Sequence, residues 1–511
     1  MPASSIPLEL AVNRTHPQTT RRIALWLFAA FQFFYLLTST GRVRTADEYN
    51  TLYTTESLVL RGSTAVPQAV RLNNFYGRYD VQGQPRAAYP PGQALLCAPW
   101  YALGQYVLAR LPGVPADDID LVVAFSSCLS SATFSALTVT LFFLLLAGIG
   151  IGAGASLLAA AMVGLGTPIF AYSGWLFSEP ISAAIFVGAA LLLFGRGGHS
   201  ISWRSASMAG LVLGLGTIVR PTNVLAIPVF ALAVLVRDGK PAWRAAFFLC
   251  AASAVGVGAL LVHNALLFGG PFAFGYPAAA EGAKSLNSFE TPLPKGLYGF
   301  LLSPGKSVFI FAPPLILALA GFRRFWRLER GAALVAVLLP VVYLLFFARY
   351  TQWEGGYCVG PRYMVPSIVL LCLGLGPMLA ESATGASLTR KIAGALVGLG
   401  AMVQCISLAT SFMEDQAPRG HYYDAHWTYR LGYSLSGQVH LLWKYLSSVE
   451  AARLGLGWDR WFVFLHKGGV ATGTLAVLGL MMVAGLAISV AGLDRNVRGA
   501  LQLEGQSSAA G

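Results

Sequence analysis

Apolar runs near the length of a bilayer crossing recur along the whole chain, and they limit its fold more than any other feature. They fall at 23–37, 121–147, 153–172, 180–195, 206–219, 222–236, 245–268, 306–320, 331–348, 363–380, 392–411 and 468–491. Inside a bilayer every backbone polar group must be satisfied within the protein, so such runs become helices. The expected fold is an all-α polytopic membrane protein, a bundle of about 12 transmembrane helices. Composition agrees: 56% of the residues are hydrophobic and only 11% are charged.

A net charge of +13 raises the question of a nucleic-acid partner. The basic residues, however, sit in short connections between apolar runs, which is the pattern of topology control, and no nucleic acid is expected. The partner implied is the lipid bilayer. Six cysteines stand singly at 97, 128, 250, 358, 372 and 405, none in a C-x-x-C, so neither a disulfide framework nor a zinc site is indicated. The first run follows Arg21-Arg22 as a signal peptide would, but no small-residue cleavage site follows it, and it reads as a retained span.

A shorter run at 94–109, interrupted by Gln105 and Tyr106, decides the topology downstream. If it does not cross, the basic connections 196–204, 237–244 and 323–330, Arg390-Lys391 and the tail with Arg495 and Arg498 all lie inside. This run is therefore read as lying at, or dipping into, the outer surface. The resulting division is a cytoplasmic segment 1–22, a transmembrane module 23–411, an outer loop 412–467, a last helix 468–491 and a cytoplasmic tail 492–511. The first outer loop, 40–120, carries interfacial helices, and 269–305 and 349–362 also face outward. The short runs 206–219 and 222–236 meet at Arg220-Pro221, as in a hairpin whose apex lines a cavity.

Polar chemistry gathers on that outer side. Thr45-x-x-Glu48 has the form of a capping box that opens a helix carrying Tyr49, Leu52, Tyr53, Leu58 and Leu60 along the interface. It occupies Glu48 and leaves Asp47 free in the first turn, a candidate general base that could equally be part of the helix start. Arg78, Arg86 and Tyr89-Pro-Pro-Gly follow in the same loop, and Glu179, Arg220, His263, Lys306, Arg362 and Tyr363 collect at the outer ends of later runs. Each of these alone suits an interfacial anchor. Together they describe a basic, aromatic-lined cavity with a carboxylate at its entrance. Ser303-Pro-Gly-Lys306-Ser307 imitates the end of a phosphate-binding Walker loop, but Phe300 stands where its first glycine belongs. A lysine at a helix start remains as a generic phosphate contact. His421, Asp424 and His426 do not have the spacing of metal ligands, so no metal site is assigned.

These motifs, in this order, resemble the GT-C superfamily of integral-membrane glycosyltransferases, and in particular the bacterial relatives of protein mannosyltransferases and of the lipid A aminoarabinose transferase. Asp47-Glu48 matches the family's acidic pair, and Tyr89-Pro-Pro-Gly falls where the family has Lys-Pro-Pro-Leu. Ser178-Glu-Pro180, the segment from Gly214 to Arg220-Pro221, and Gly360-Pro-Arg-Tyr363 resemble later family segments. The likeness covers roughly 23–380. It departs where the family lysine is Tyr89 and the acidic residue preceding it in some members is Ala88, which weakens a family-style metal site and shifts phosphate binding to other cations. No cofactor is assigned, and a divalent cation stays open.

The resemblance implies transfer of a hexosyl or pentosyl group by single displacement with inversion, in the bacterial inner membrane. Nucleotide sugars are cytoplasmic, so a site on the outer side needs a donor carried on lipid, and a polyprenyl-phosphate sugar fits. Arg220, Arg362 and Lys306, with Arg78 or Arg86, are the candidates for its phosphate. Asp47, with Glu48 beside it, is the candidate for proton abstraction from a glycan, lipid or protein acceptor. Tyr89, Glu179, His263 and Tyr363 would shape the cavity. Two rival readings are a lipid-linked sugar transporter without chemistry and a subunit that has kept the fold without activity.

Overall fold

A computed structural model of the chain describes residues 17–197, 199–238, 242–277, 288–382, 387–411, 435–447 and 460–509. The motif with His421, Asp424 and His426 lies outside the described residues. The described chain is mainly helical, with a single two-stranded hairpin. Seven stretches are long and apolar enough to cross a membrane, among them Ala116–Ile149, Trp243–Phe268, Arg330–Arg349 and Thr472–Gln502.

The other five expected spans are shorter, broken or punctuated by polar residues. Helix α1 (Pro17–Thr38) takes in Arg21, Arg22 and Gln32. After α2 (Ala46–Arg61), α3 (Pro67–Arg71), α4 (Gly92–Tyr106) and α5 (Ile119–Ile149), the run 153–172 divides into α6 (Ala153–Gly166) and α7 (Pro168–Tyr172). The break is at Thr167-Pro168, since a proline removes a backbone donor and turns its predecessor away from helix. Helices α8 (Glu179–Phe194) and α9 (Trp203–Val219) are short, and α9 ends at Arg220-Pro221 ahead of α10 (Ala226–Asp238). Beyond α11 (Trp243–Phe268) and α12 (Leu293–Leu302), the run 306–320 is split by Pro313-Pro314 into α13 (Val308–Phe311) and α14 (Leu315–Leu328). Helix α15 (Arg330–Arg349) leads to α16 (Val365–Leu371), α17 (Leu375–Ser382), α18 (Ser387–Ala409), α19 (Leu435–Ser447), α20 (Trp461–Lys467) and α21 (Thr472–Ala509).

Helix α5 is central, packing on α1, α4 and α8, while α1 also packs along α21. Helices α9 and α11 run against each other at backbone contact. A Cβ added to Gly210 would lie 2.1 Å from the Leu249 carbonyl oxygen, and one on Gly214 2.3 Å from that of Ser253. Small residues let membrane helices approach this closely, and the Ser253 hydroxyl donates across the seam to the Gly210 carbonyl at 2.9 Å. Helix α4, which holds most of the 94–109 run, packs against α2 and α5. The segment between α2 and α4 forms a small antiparallel hairpin, β1 (Gly77–Tyr79) with β2 (Pro85–Ala87), in which Arg78 pairs with Arg86.

Candidate active site

Four charged side chains stand at helix ends around one cavity, and the local sequence explains why each is there. Thr45 caps α2: its hydroxyl accepts from the Glu48 N–H at 3.3 Å, and Glu48 Oε2 accepts from the Thr45 N–H at 3.0 Å. The capping box read from the sequence is therefore present. Glu48 also accepts from the Arg44 N–H at 3.1 Å and, through Oε1, from the Leu176 N–H at 3.2 Å. It is fully buried, and burial raises its carboxyl above the usual range against the lowering pull of Arg44 and of these N–H groups. Glu48 does not line the cavity, whereas its neighbour Asp47 does.

Glu179 is the first residue of α8, Arg220 follows the last residue of α9, and Arg362 opens the turn before α16. The loop leading to Arg362 doubles back through Gly355, at φ +85°, and there the space is closed as well: a Cβ would sit 3.0 Å from Cys358 Sγ and 3.1 Å from Arg362 Cβ.

These groups form a chain of alternating charge. Arg362 Nη1 donates to Asp47 Oδ2 at 2.5 Å, and its Nε donates to Glu179 Oε1 at 2.8 Å. Arg220 Nη1 donates to the same Glu179 oxygen at 2.6 Å, while Glu179 Oε2 is buried without a hydrogen-bond partner among the described residues. The Tyr89 hydroxyl donates to Asp47 Oδ1. Burial first, and then the charge of Asp47, raise the Tyr89 phenol well above its ordinary range, so it stays a donor. Aromatic faces bracket the cations. Arg362 lies 4.2 Å over Phe177 and Arg220 5.2 Å over Tyr363, which stacks on Phe347 at 4.3 Å.

The cavity itself measures about 640 Å³, within the usual range for small-molecule sites. Asp47, Tyr89, Arg220, Arg362 and Tyr363 all line it, and Glu179 lies behind the two arginines. The remaining sequence candidates are held elsewhere. Lys306 is buried with its ammonium 3.2 Å from both the carbonyl oxygen and Sγ of Cys358, and it does not line the cavity. Arg86 is taken by Asp80 at 2.7 Å and by the Thr64 hydroxyl at 2.7 Å. Arg78 reaches the Phe274 carbonyl and lies over the Phe268 ring. His263 sits against Asn264 and Phe268 within α11.

The sequence reading missed much of the aromatic wall: Tyr76, Tyr276, Tyr350 and Phe347 line the cavity. Tyr76 lies two residues from Arg78, a cation the sequence had marked, whereas Tyr276, Phe347 and Tyr350 carried no such signal. Among the described residues no three His, Cys, Asp or Glu side chains gather as a metal group. The cavity's own carboxylates do not suit a divalent cation, because arginines already face both Asp47 and Glu179.

No protein-family model and no curated protein sequence matches the chain. Among solved structures it is similar to ArnT from Cupriavidus metallidurans in the apo state, at 15% identity and a TM-score of 0.45, over 94% of this chain and 78% of that one. It is also similar to ArnT from the same organism bound to undecaprenyl phosphate, at 15% identity and a TM-score of 0.42, over 93% and 76%.

Proposed function

We propose that this protein is a GT-C-type glycosyltransferase that moves a sugar from a polyprenyl-phosphate donor to an acceptor hydroxyl, with Asp47 as the general base. The observation that carries this is the pairing, across one aromatic-lined cavity, of a carboxylate facing the space with an arginine that keeps donors in reserve. The Arg220 guanidinium gives one N–H group to Glu179 and has no other hydrogen-bonded acceptor among the described residues. Its remaining donors suit a phosphate oxygen, and the ring faces beside it keep the site dry enough for that charge to matter.

In the transfer, the bond between the anomeric carbon and the phosphate oxygen breaks and its electron pair leaves on polyprenyl phosphate. The acceptor oxygen attacks from the opposite face, forms the new glycosidic bond with inversion, and releases its proton to Asp47. The leaving group is already an anion, so it needs charge stabilisation more than an acid, and Arg220 and Arg362 supply that. The cavity lies on the outer side of the bacterial inner membrane in this reading, where the donor arrives by lipid.

The test is transfer from a panel of radiolabelled polyprenyl-phosphate sugars by wild type, Asp47→Asn and Glu48→Gln. Asp47→Asn should lose on the order of 10²–10⁴ in rate with donor binding retained, and Glu48→Gln far less, since an amide can still close the cap. Full turnover in Asp47→Asn, or no transfer from any donor, would defeat the reading and bring back the transporter.

A further inference from the structure

The two oxygens of Asp47 are held by different partners. Oδ2 takes Nη1 of Arg362 at 2.5 Å, and Oδ1 takes the hydroxyl of Tyr89. Two directional bonds on opposite oxygens fix the plane of a carboxylate as well as its position. An ionised carboxylate has about four lone-pair sites, so two stay open to an incoming hydroxyl.

Tyr89 is built to keep its place. Pro90 and Pro91 follow it, which restricts the backbone there, and its ring packs edge-on against Tyr276 at 5.8 Å and tilted against Tyr76 at 6.3 Å. The ring contacts are independent of the hydroxyl, whose one hydrogen-bond partner among the described residues is Asp47. We propose that Tyr89 is a positioning residue for the transfer, orienting the Asp47 carboxylate toward the acceptor through Oδ1. This rests on Asp47 acting as the base. It gives position 89, where the family resemblance would place a phosphate-binding lysine, a different task in this chain.

The experiment is Tyr89→Phe, which keeps the ring packing and deletes only the hydroxyl. kcat should fall roughly 10- to 100-fold, as misplacement of a reacting group does, with KM for the donor unchanged. Packing damage alone would not confine the loss to kcat. In an Asp47→Asn background, where residual turnover is read by single-turnover labelling, the same change should cost nothing further. Wild-type kcat, or an equal loss in both backgrounds, would overturn the role of Tyr89 and leave Asp47 as base. Unimpaired turnover in Asp47→Asn alone would instead bring down the reading beneath it.

Discussion

Two arginine–carboxylate networks among the described residues are buried to similar depth, and one of them borders the cavity described above. Away from the cavity, Arg237 donates to Glu329 at 2.6 Å, to Asp238 at 3.1 Å and to the His199 carbonyl at 2.7 Å. Asp238 in turn accepts from the Ile201 N–H at 2.8 Å, and Glu329 caps α15 through the Gly331 N–H at 3.3 Å. Every carboxylate there is also tied to backbone, so the network fastens loop to helix. At the cavity, among the described residues, the Arg220 guanidinium gives a single hydrogen bond, one oxygen of Glu179 has none, neither the Asp47 nor the Glu179 carboxylate is tied to backbone, and ring faces flank the cations. Burial does not separate the two networks; completeness of hydrogen bonding does. Unsatisfied capacity beside a cavity is what a ligand can use, and closed capacity is what holds a fold.

The comparison can be broken most sharply at Arg220. Arg220→Gln should lower the single-turnover rate on the order of 10²–10³, the usual worth of one stabilising donor, and weaken binding of polyprenyl phosphate in a direct titration. Wild-type rate and affinity would move the phosphate site elsewhere. Arg237→Gln should do the reverse. It strands Glu329 and Asp238, so stability measured by thermal unfolding in detergent should fall by about 3–5 kcal/mol, while turnover per folded molecule holds. A loss of turnover without loss of stability would erase the distinction between the networks.

The smallest effect is expected at Glu354, on the loop beneath the cavity, and it depends on pH. Burial pushes its carboxyl from an ordinary value near 4.5 up to about 7, against the lowering influence of Lys306 and Lys295. A carboxyl raised by folding binds its proton more tightly in the native state. The stability it contributes is therefore full below about 4.5 and is lost as pH rises to about 7. The total is about 3 kcal/mol. Glu354→Gln should flatten that part of the stability-versus-pH curve measured by thermal unfolding, and an unchanged slope between those limits would rule out Glu354 as its source.

Much of the fold is legible because bilayer-length apolar runs leave a chain few choices. The capping box is legible because it is local: Thr45 and Glu48 meet within one turn. What escaped the sequence is long-range competition for charges. Lys306 reads as a free cation at a helix start, yet Cys358, 52 residues away, takes it out of the cavity. Arg86 reads as a phosphate ligand, but the hairpin returns Asp80 to it. Glu179 reads as part of the cavity surface, whereas it lies behind Arg220 and Arg362 and joins them. The breaks at Thr167-Pro168 and Pro313-Pro314 were visible as residues, and the apolar runs passed over them.

The bond from Glu48 to the Leu176 N–H sets a gauge. It fastens two stretches of backbone at a point one residue from Asp47 and three from Glu179, and so helps set the gap between those two acids. Arg362 spans that gap with a single rigid guanidinium, Nε on one side and Nη1 on the other. A lysine, with one nitrogen at its tip, cannot stand at both ends of such a fork. The capping carboxylate thus dictates, from outside the cavity, which kind of cation position 362 can carry.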